Sequence, residues 1–246
     1  MTRDVSNERT QMNPIVDYGA WLSPNISPEL KALKPFFDTL PQIHSEYIAG
    51  EIKDPKHTKS WTDCSFWYRE RTQIGLLSAA VWRVSGTALE EFVTKKGASS
   101  GRGDLWIRVR KSLSEYGDGY WCEAKYGCIY LEDGDIKSVL NKVDVRLELA
   151  IKDFNKIPSD YKQRLAIAFC ELRIKSSREP VGREYLASLL HFLNKQFTAS
   201  DHDEFVADAY FWIGKKDGWR PNWDSYSHFE ILMAVKYWTH SGGRAH

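Results

Sequence analysis

The chain has 246 residues and a mass of 28.4 kDa, of which 42% are hydrophobic and 27% charged, so it suits one large globular domain or two small ones and excludes a disordered chain. A formal net charge of +1 supplies no global basic field, and any phosphate-binding surface must therefore be local. No run approaches the ~20 apolar residues that a membrane-spanning helix needs.

The polar opening, "MTRDVSNERTQMNP", has no signal-like apolar run, and Cys64, Cys122, Cys128 and Cys170 form no CxxC pair. Reduced thiols in a cytoplasmic protein are expected. The first fifty residues carry five of the nine prolines (Pro14, Pro24, Pro28, Pro35, Pro41), which predicts an irregular extension over 1–67, with short helical turns at best, packed on the rest of a single domain.

From Arg69 the pattern sharpens. Ile74, Leu77, Val81 and Val84 recur at helical spacing, and Gly86 is the natural stop. Gly86 and the β-branched residues after it favour a strand from Ala88 to Thr94, and "GASSGRG" reads as a loop. "DLWIRVR" alternates as a strand, "SEYGDG" is turn chemistry, and "YWCEAKYGCIYL" is the returning strand. Asp135 is a candidate N-cap for the next helix, "RLAIAFCELRI" reads as a buried strand, and a helix follows from about Arg183 to Phe197. The aromatic tail is expected to add a strand, a loop and a last helix, giving a C-terminal helical and aromatic addition over 176–246. Helix, three strands, helix and strand make an α/β sheet with helices on its faces.

One stretch is chemically odd. Glu123 and Lys125 share a strand face with Trp121, while Cys122 and Ala124 face the other way. Apolar residues on both sides predict a covered strand, where an unpaired acid is costly. If twist or a bulge brings Asp104 alongside Glu123, two carboxylates can hold Mg²⁺. A lysine two residues away can orient or deprotonate a water, or offset phosphate charge. The plainer alternative makes Asp104 a loop cap and pairs Glu123 with Lys125 or a cross-strand arginine.

Asp104 in "GRGDLWI", with Glu123 and Lys125 in "WCEAK", resembles the active-site motif of the PD-(D/E)xK nuclease-like superfamily, the fold of many restriction endonucleases and recombination nucleases. The element order over about 68–175 is similar to that superfamily's common core, although Gly103, not proline, precedes the aspartate. The resemblance implies a restriction endonuclease-like core and Mg²⁺- or Mn²⁺-dependent cleavage of DNA phosphodiesters. It makes Asp104 and Glu123 metal ligands and Lys125 the catalytic lysine. It also implies one more acid on the first core helix. Glu70, which extends the Ile74–Leu77 stripe, is the candidate for it, with Glu90 and Glu91 as rivals on opposite faces of the first strand. Such nucleases often act as dimers, which adds a homodimer to nucleic acid as an expected partner.

Lys95, Lys96, Arg102 and Arg108, with Arg110 and Lys111, form a local basic patch around Asp104, and "GKKDGWRPNW" interleaves basic and aromatic residues. There is no HExxH, GxSxG elbow, P-loop or GxGxxG after a strand. Two other readings stand beside the nuclease: a non-catalytic binding module on the same scaffold, and a hydrolase of a small phosphorylated molecule.

Overall fold

The computed structural model describes residues 16–49, 70–110, 116–154, 163–198, 207–215 and 226–239, apart from 24, 92, 97, 98, 132–134, 176 and 178. The elements are β1 (Val16–Leu22), α1 (Pro28–Ala49), α2 (Glu70–Arg83), β2 (Thr87–Glu90), β3 (Val93–Lys96), β4 (Ser99–Arg102), β5 (Leu105–Arg110), β6 (Tyr116–Tyr130), α3 (Ile136–Phe154), β7 (Gln163–Lys175), α4 (Glu179–Thr198), β8 (Ala209–Lys215) and β9 (Tyr226–Thr239). The architecture is mixed α/β. A seven-stranded sheet runs β1-β8-β9-β7-β6-β5-β2, and β3 and β4 form a separate ribbon. Strands β6 and β7 are parallel, and the other neighbours are antiparallel.

Two cores flank the sheet. Cys122, Ala124, Leu165, Ile167 and Phe169 pack with α1 and α2, and Trp121, Ala166, Ala168 and Cys170 pack with α3 and α4. The strict alternation is that of strands covered on both faces. Asp135 caps α3 as expected, accepting the Ser138 N–H at 2.7 Å. Cys122, Cys128 and Cys170 are free thiols, and Cys64 lies outside the described residues. No described helix is long and apolar enough to cross a membrane.

Five expectations are corrected. The proline-rich start contains a strand and a long helix, with Pro35 and Pro41 inside α1. Two interior prolines cost roughly 3 kcal/mol each, but burial of Leu30, Leu33, Phe36, Phe37, Leu40 and Ile43 returns about 2 kcal/mol per side chain and wins. The expected last helix is β9, which lies between β7 and β8 and buries Ile231 and Met233 on one face, Leu232 and Ala234 on the other. The expected single strand from Ala88 to Thr94 breaks at Glu91, where φ is 48°, and "GASSGRG" contains β4 rather than being all loop. Helix α2 is closed by Ser85 at φ 66°, not by a left-handed Gly86. Gly86 is needed for space instead, since a Cβ there would meet Val81 Cγ1 at 2.6 Å.

Candidate active site

Strand β6 outruns its neighbour. Strand β5 starts at Leu105, opposite Cys122, while β6 continues to Tyr130, so among the described residues no strand covers the β5-side edge of β6 from Glu123 onward. Exposed strand amides need acceptors. Two carboxylates supply them: Ala124 N–H donates to Asp104 Oδ2 at 2.8 Å, and Tyr126 N–H donates to Glu70 Oε2 at 3.1 Å. Asp104 immediately precedes β5 and Glu70 is the first residue of α2, so two elements deliver acids to one notch.

A bulge sets the register. Arg108 pairs with Gly119 but Arg110 pairs with Tyr116, which leaves one extra residue on β6. Without it Asp104 would stand opposite Cys122, on the other face of the sheet. With it, Asp104 comes one step beyond the Leu105–Cys122 pair, opposite Glu123. Gly119 makes room for this arrangement, because a Cβ there would meet Trp106 Nε1 at 2.4 Å. The expected Gly117–Gly119 turn is therefore strand, and 111–115 lie outside the described residues.

Glu123 is only 3% exposed and accepts the Trp121 Nε1–H at 2.9 Å. Burial, then the charge of Asp104 and a hydrogen bond to it, push the Glu123 carboxyl up to about 8. The nearby Lys125 charge opposes this only in part. Burial and Asp104 also raise Glu70, against the pull of Lys125 and the Tyr126 amide. Lys125 Nζ lies 2.9 Å from Asp153 Oδ2. Burial works against its charge, but Asp153, then Asp104 and Glu70, outweigh burial and raise its pKa. A lysine held charged in this way suits orienting a water or offsetting phosphate charge, not removing a proton.

Glu70, Arg71, Ile74, Glu90, Glu91 and Asp104 line a cleft of ≈ 400 Å³. Glu90 and Glu91 were expected on opposite strand faces. The left-handed backbone at Glu91 interrupts the alternation, and both acids line the cleft, with Glu91 paired to Arg71 at 2.6 Å.

Two other acids are as deeply buried as Glu123. Glu171 is paired with Arg173 at 2.8 Å and receives the Tyr126 hydroxyl, and Glu230 accepts the Trp212 indole N–H. Asp208 repeats the local construction of Asp104. It immediately precedes β8, its Oδ2 accepts the Tyr237 N–H at 2.7 Å, and its register partner, one step beyond Ala209–Val235, is Lys236. Lys236 Nζ lies 2.8 Å from Asp208 Oδ1. The same strand-start aspartate thus meets a lysine at one end of the sheet and a buried glutamate at the other.

Sequence reasoning missed Asp153. The available signal was an acid in the last turn of α3, where the helix dipole disfavours negative charge, beside the buried Phe154. Glu70, Asp104, Glu123 and Lys125 are brought together, whereas Arg108 is not. It lies along β5 from Asp104, and its Nε donates to Gly117 O at 3.1 Å, at the bulge. Lys95, Lys96 and Arg102 lie on the β3–β4 ribbon. Lys111 and residues 216–223 of the basic aromatic tail lie outside the described residues. Among the described residues, no three His, Cys, Asp or Glu side chains stand at metal-holding distances. No family model, curated protein or solved structure matches the chain.

Proposed function

We propose that the chain is a metal-dependent nuclease with a restriction endonuclease-like core, hydrolysing phosphodiester bonds of DNA. The observation that carries this reading is the Asp104–Glu123 pair, two acids in cross-strand register with Glu123 buried, where Asp208 meets a lysine instead. A structural cap needs no second acid; without a cation the pair meets through a proton held on Glu123, and a divalent cation is what would take that proton's place.

The donor set fits a hard divalent cation such as Mg²⁺ or Mn²⁺. It consists of carboxylate oxygens from α2, the start of β5 and β6; Glu70 and Asp104 line the cleft, and Glu123 is buried. Glu70, Asp104 and Glu123 would hold the ion, which when bound would polarise the phosphate and lower the pKa of a coordinated water. Asp104 and Glu70 already have one oxygen each fixed by a β6 amide, which orients both carboxyls. Trp121 orients Glu123, and Asp153 holds Lys125 charged at the same notch. Lys125 would direct the attacking water and offset charge building on the phosphate. Cutting both strands of a duplex would take two such sites, and therefore two copies of the chain.

The second reading is a non-catalytic interaction module. It draws on the spacing of the carboxylates, no three of which among the described residues stand close enough to ligate an ion as they are. Incubation with supercoiled plasmid separates the two. The nuclease reading expects nicked or linear product with Mn²⁺ or Mg²⁺, none in EDTA, and none from Asp104→Asn. Intact plasmid in both ions, or equal cutting by Asp104→Asn, leaves the module.

A further inference from the structure

The ribbon β3–β4 leaves the main sheet at the cleft. Its root is pinned where β2 ends, at the Glu90–Leu105 pair and the Glu91 N–H to Asp104 O hydrogen bond of 3.0 Å. From there Val93–Lys96 pairs with Ser99–Arg102, backbone to backbone, outside the seven-stranded sheet. Four residues per strand carry the ribbon roughly 13 Å from its root.

Its composition is the inverse of the cleft's. From Val93 to Gly103 there are three cations, Lys95, Lys96 and Arg102, and three hydroxyls, Thr94, Ser99 and Ser100, with no acid. The cleft at its root is lined by four acids and one arginine. Glu91 and Asp104, which flank the ribbon, are the boundary between the two. Such adjacency separates two tasks. The acids attract a cation, and the ribbon attracts a polyanion that the acids alone would repel.

We infer that the β3–β4 ribbon is an arm that lies along a groove of double-stranded nucleic acid and grips its phosphates, placing one strand over the Asp104–Glu123 notch. A two-stranded ribbon matches the width of the major groove of B-form DNA. The sequence from Gly97 to Gly101 contains no side chain larger than serine. Single-strand binders stack bases on aromatic side chains, and no aromatic residue occurs from Val93 to Gly103. A small phosphorylated substrate at the acids would have no use for Lys95 and Lys96, which lie toward the far end of the ribbon. The inference deepens the nuclease reading by naming a duplex as its substrate.

The test is fluorescence anisotropy with a labelled 20-base-pair DNA duplex, and with one of its strands alone, in EDTA so that nothing is cut. The full chain is compared with a Lys95→Gln, Lys96→Gln, Arg102→Gln variant. Loss of three phosphate contacts is expected to weaken duplex binding at least about 10-fold near 0.1 M salt and to flatten the log K against log salt slope by about 3. Unchanged affinity and slope overturn the arm, as does wild-type chain that binds the single strand as tightly as the duplex or binds neither. Plasmid cutting with Mn²⁺ alongside unchanged duplex binding by the variant would sink the arm and keep the nuclease. Arm-dependent duplex binding with no cutting in any divalent cation would do the reverse.

Discussion

Replacing Lys125 by alanine is expected to slow phosphodiester cleavage about 10²- to 10³-fold while the fold and metal uptake persist. The size follows from the role. Lys125 feels the charges of Asp153, Asp104 and Glu70, and the ion pair with Asp153 at 2.9 Å keeps it charged beside Glu123. Removing it takes away a fixed charge that acts where negative charge develops in the transition state. Little stability is at stake, because the pair with Asp153 is about one quarter exposed on each side (27% and 29%) and partly exposed pairs are worth about 1 kcal/mol or less. Lys125→Arg should recover part of the loss, since charge is kept and geometry is not. Circular dichroism and thermal unfolding on both variants would establish that the fold is intact. Full activity in Lys125→Ala would remove lysine from the chemistry altogether.

Glu123→Gln is expected to abolish activity and to stabilise the metal-free protein at pH 8. Ionising Glu123 costs the folded chain, because its carboxyl is buried and faces Asp104, which raises it from 4.5 to about 8. Between those values the folded state holds a proton that the unfolded state has released. Stability therefore falls as pH rises, by about 1.4 kcal/mol per unit, for a total on the order of 5 kcal/mol, and levels off once the pH is well above 8. Glutamine keeps an acceptor for the Trp121 indole and offers a donor to Asp104, so the slope should vanish. For a chain of this size the gain corresponds to roughly 10 °C in Tm at pH 8 in EDTA. Asp208→Asn serves as the control with opposite sign, because it strips the counter-charge of Lys236. A Glu123→Gln protein no more stable than wild type would mean that the acid pair carries no strain.

Much of this site was legible in the sequence because strand parity is local. Trp121, Glu123 and Lys125 had to share one face, and Asp104 had to begin the preceding strand. The one-residue bulge between the Arg108–Gly119 and Arg110–Tyr116 pairs was not legible, yet it decides whether Asp104 meets Glu123 or Cys122. Asp153 was hidden for another reason: it is 28 positions from Lys125 in the chain and meets it only once α3 packs on β6. The helical fate of the proline-rich start depended on α1 burying six large side chains, a tertiary term that no local propensity contains. "HFEILMAVKYW" was ambiguous in kind. A short, continuous apolar run suits a buried helix or a strand covered on both faces, and the pairing of β9 with both β7 and β8 decided it.

The most direct test of a cation site at the notch is calorimetric titration of Mn²⁺ at pH 7, in two buffers of different ionisation enthalpy, with a non-cleavable duplex present. Wild-type chain is predicted to take up Mn²⁺ and release about one proton, since Glu123 is protonated at that pH before the ion enters. The Asp104→Asn, Glu123→Gln double variant is predicted to do neither. Uptake of equal strength by both proteins, or by neither, would contradict a metal centre built on these two carboxylates.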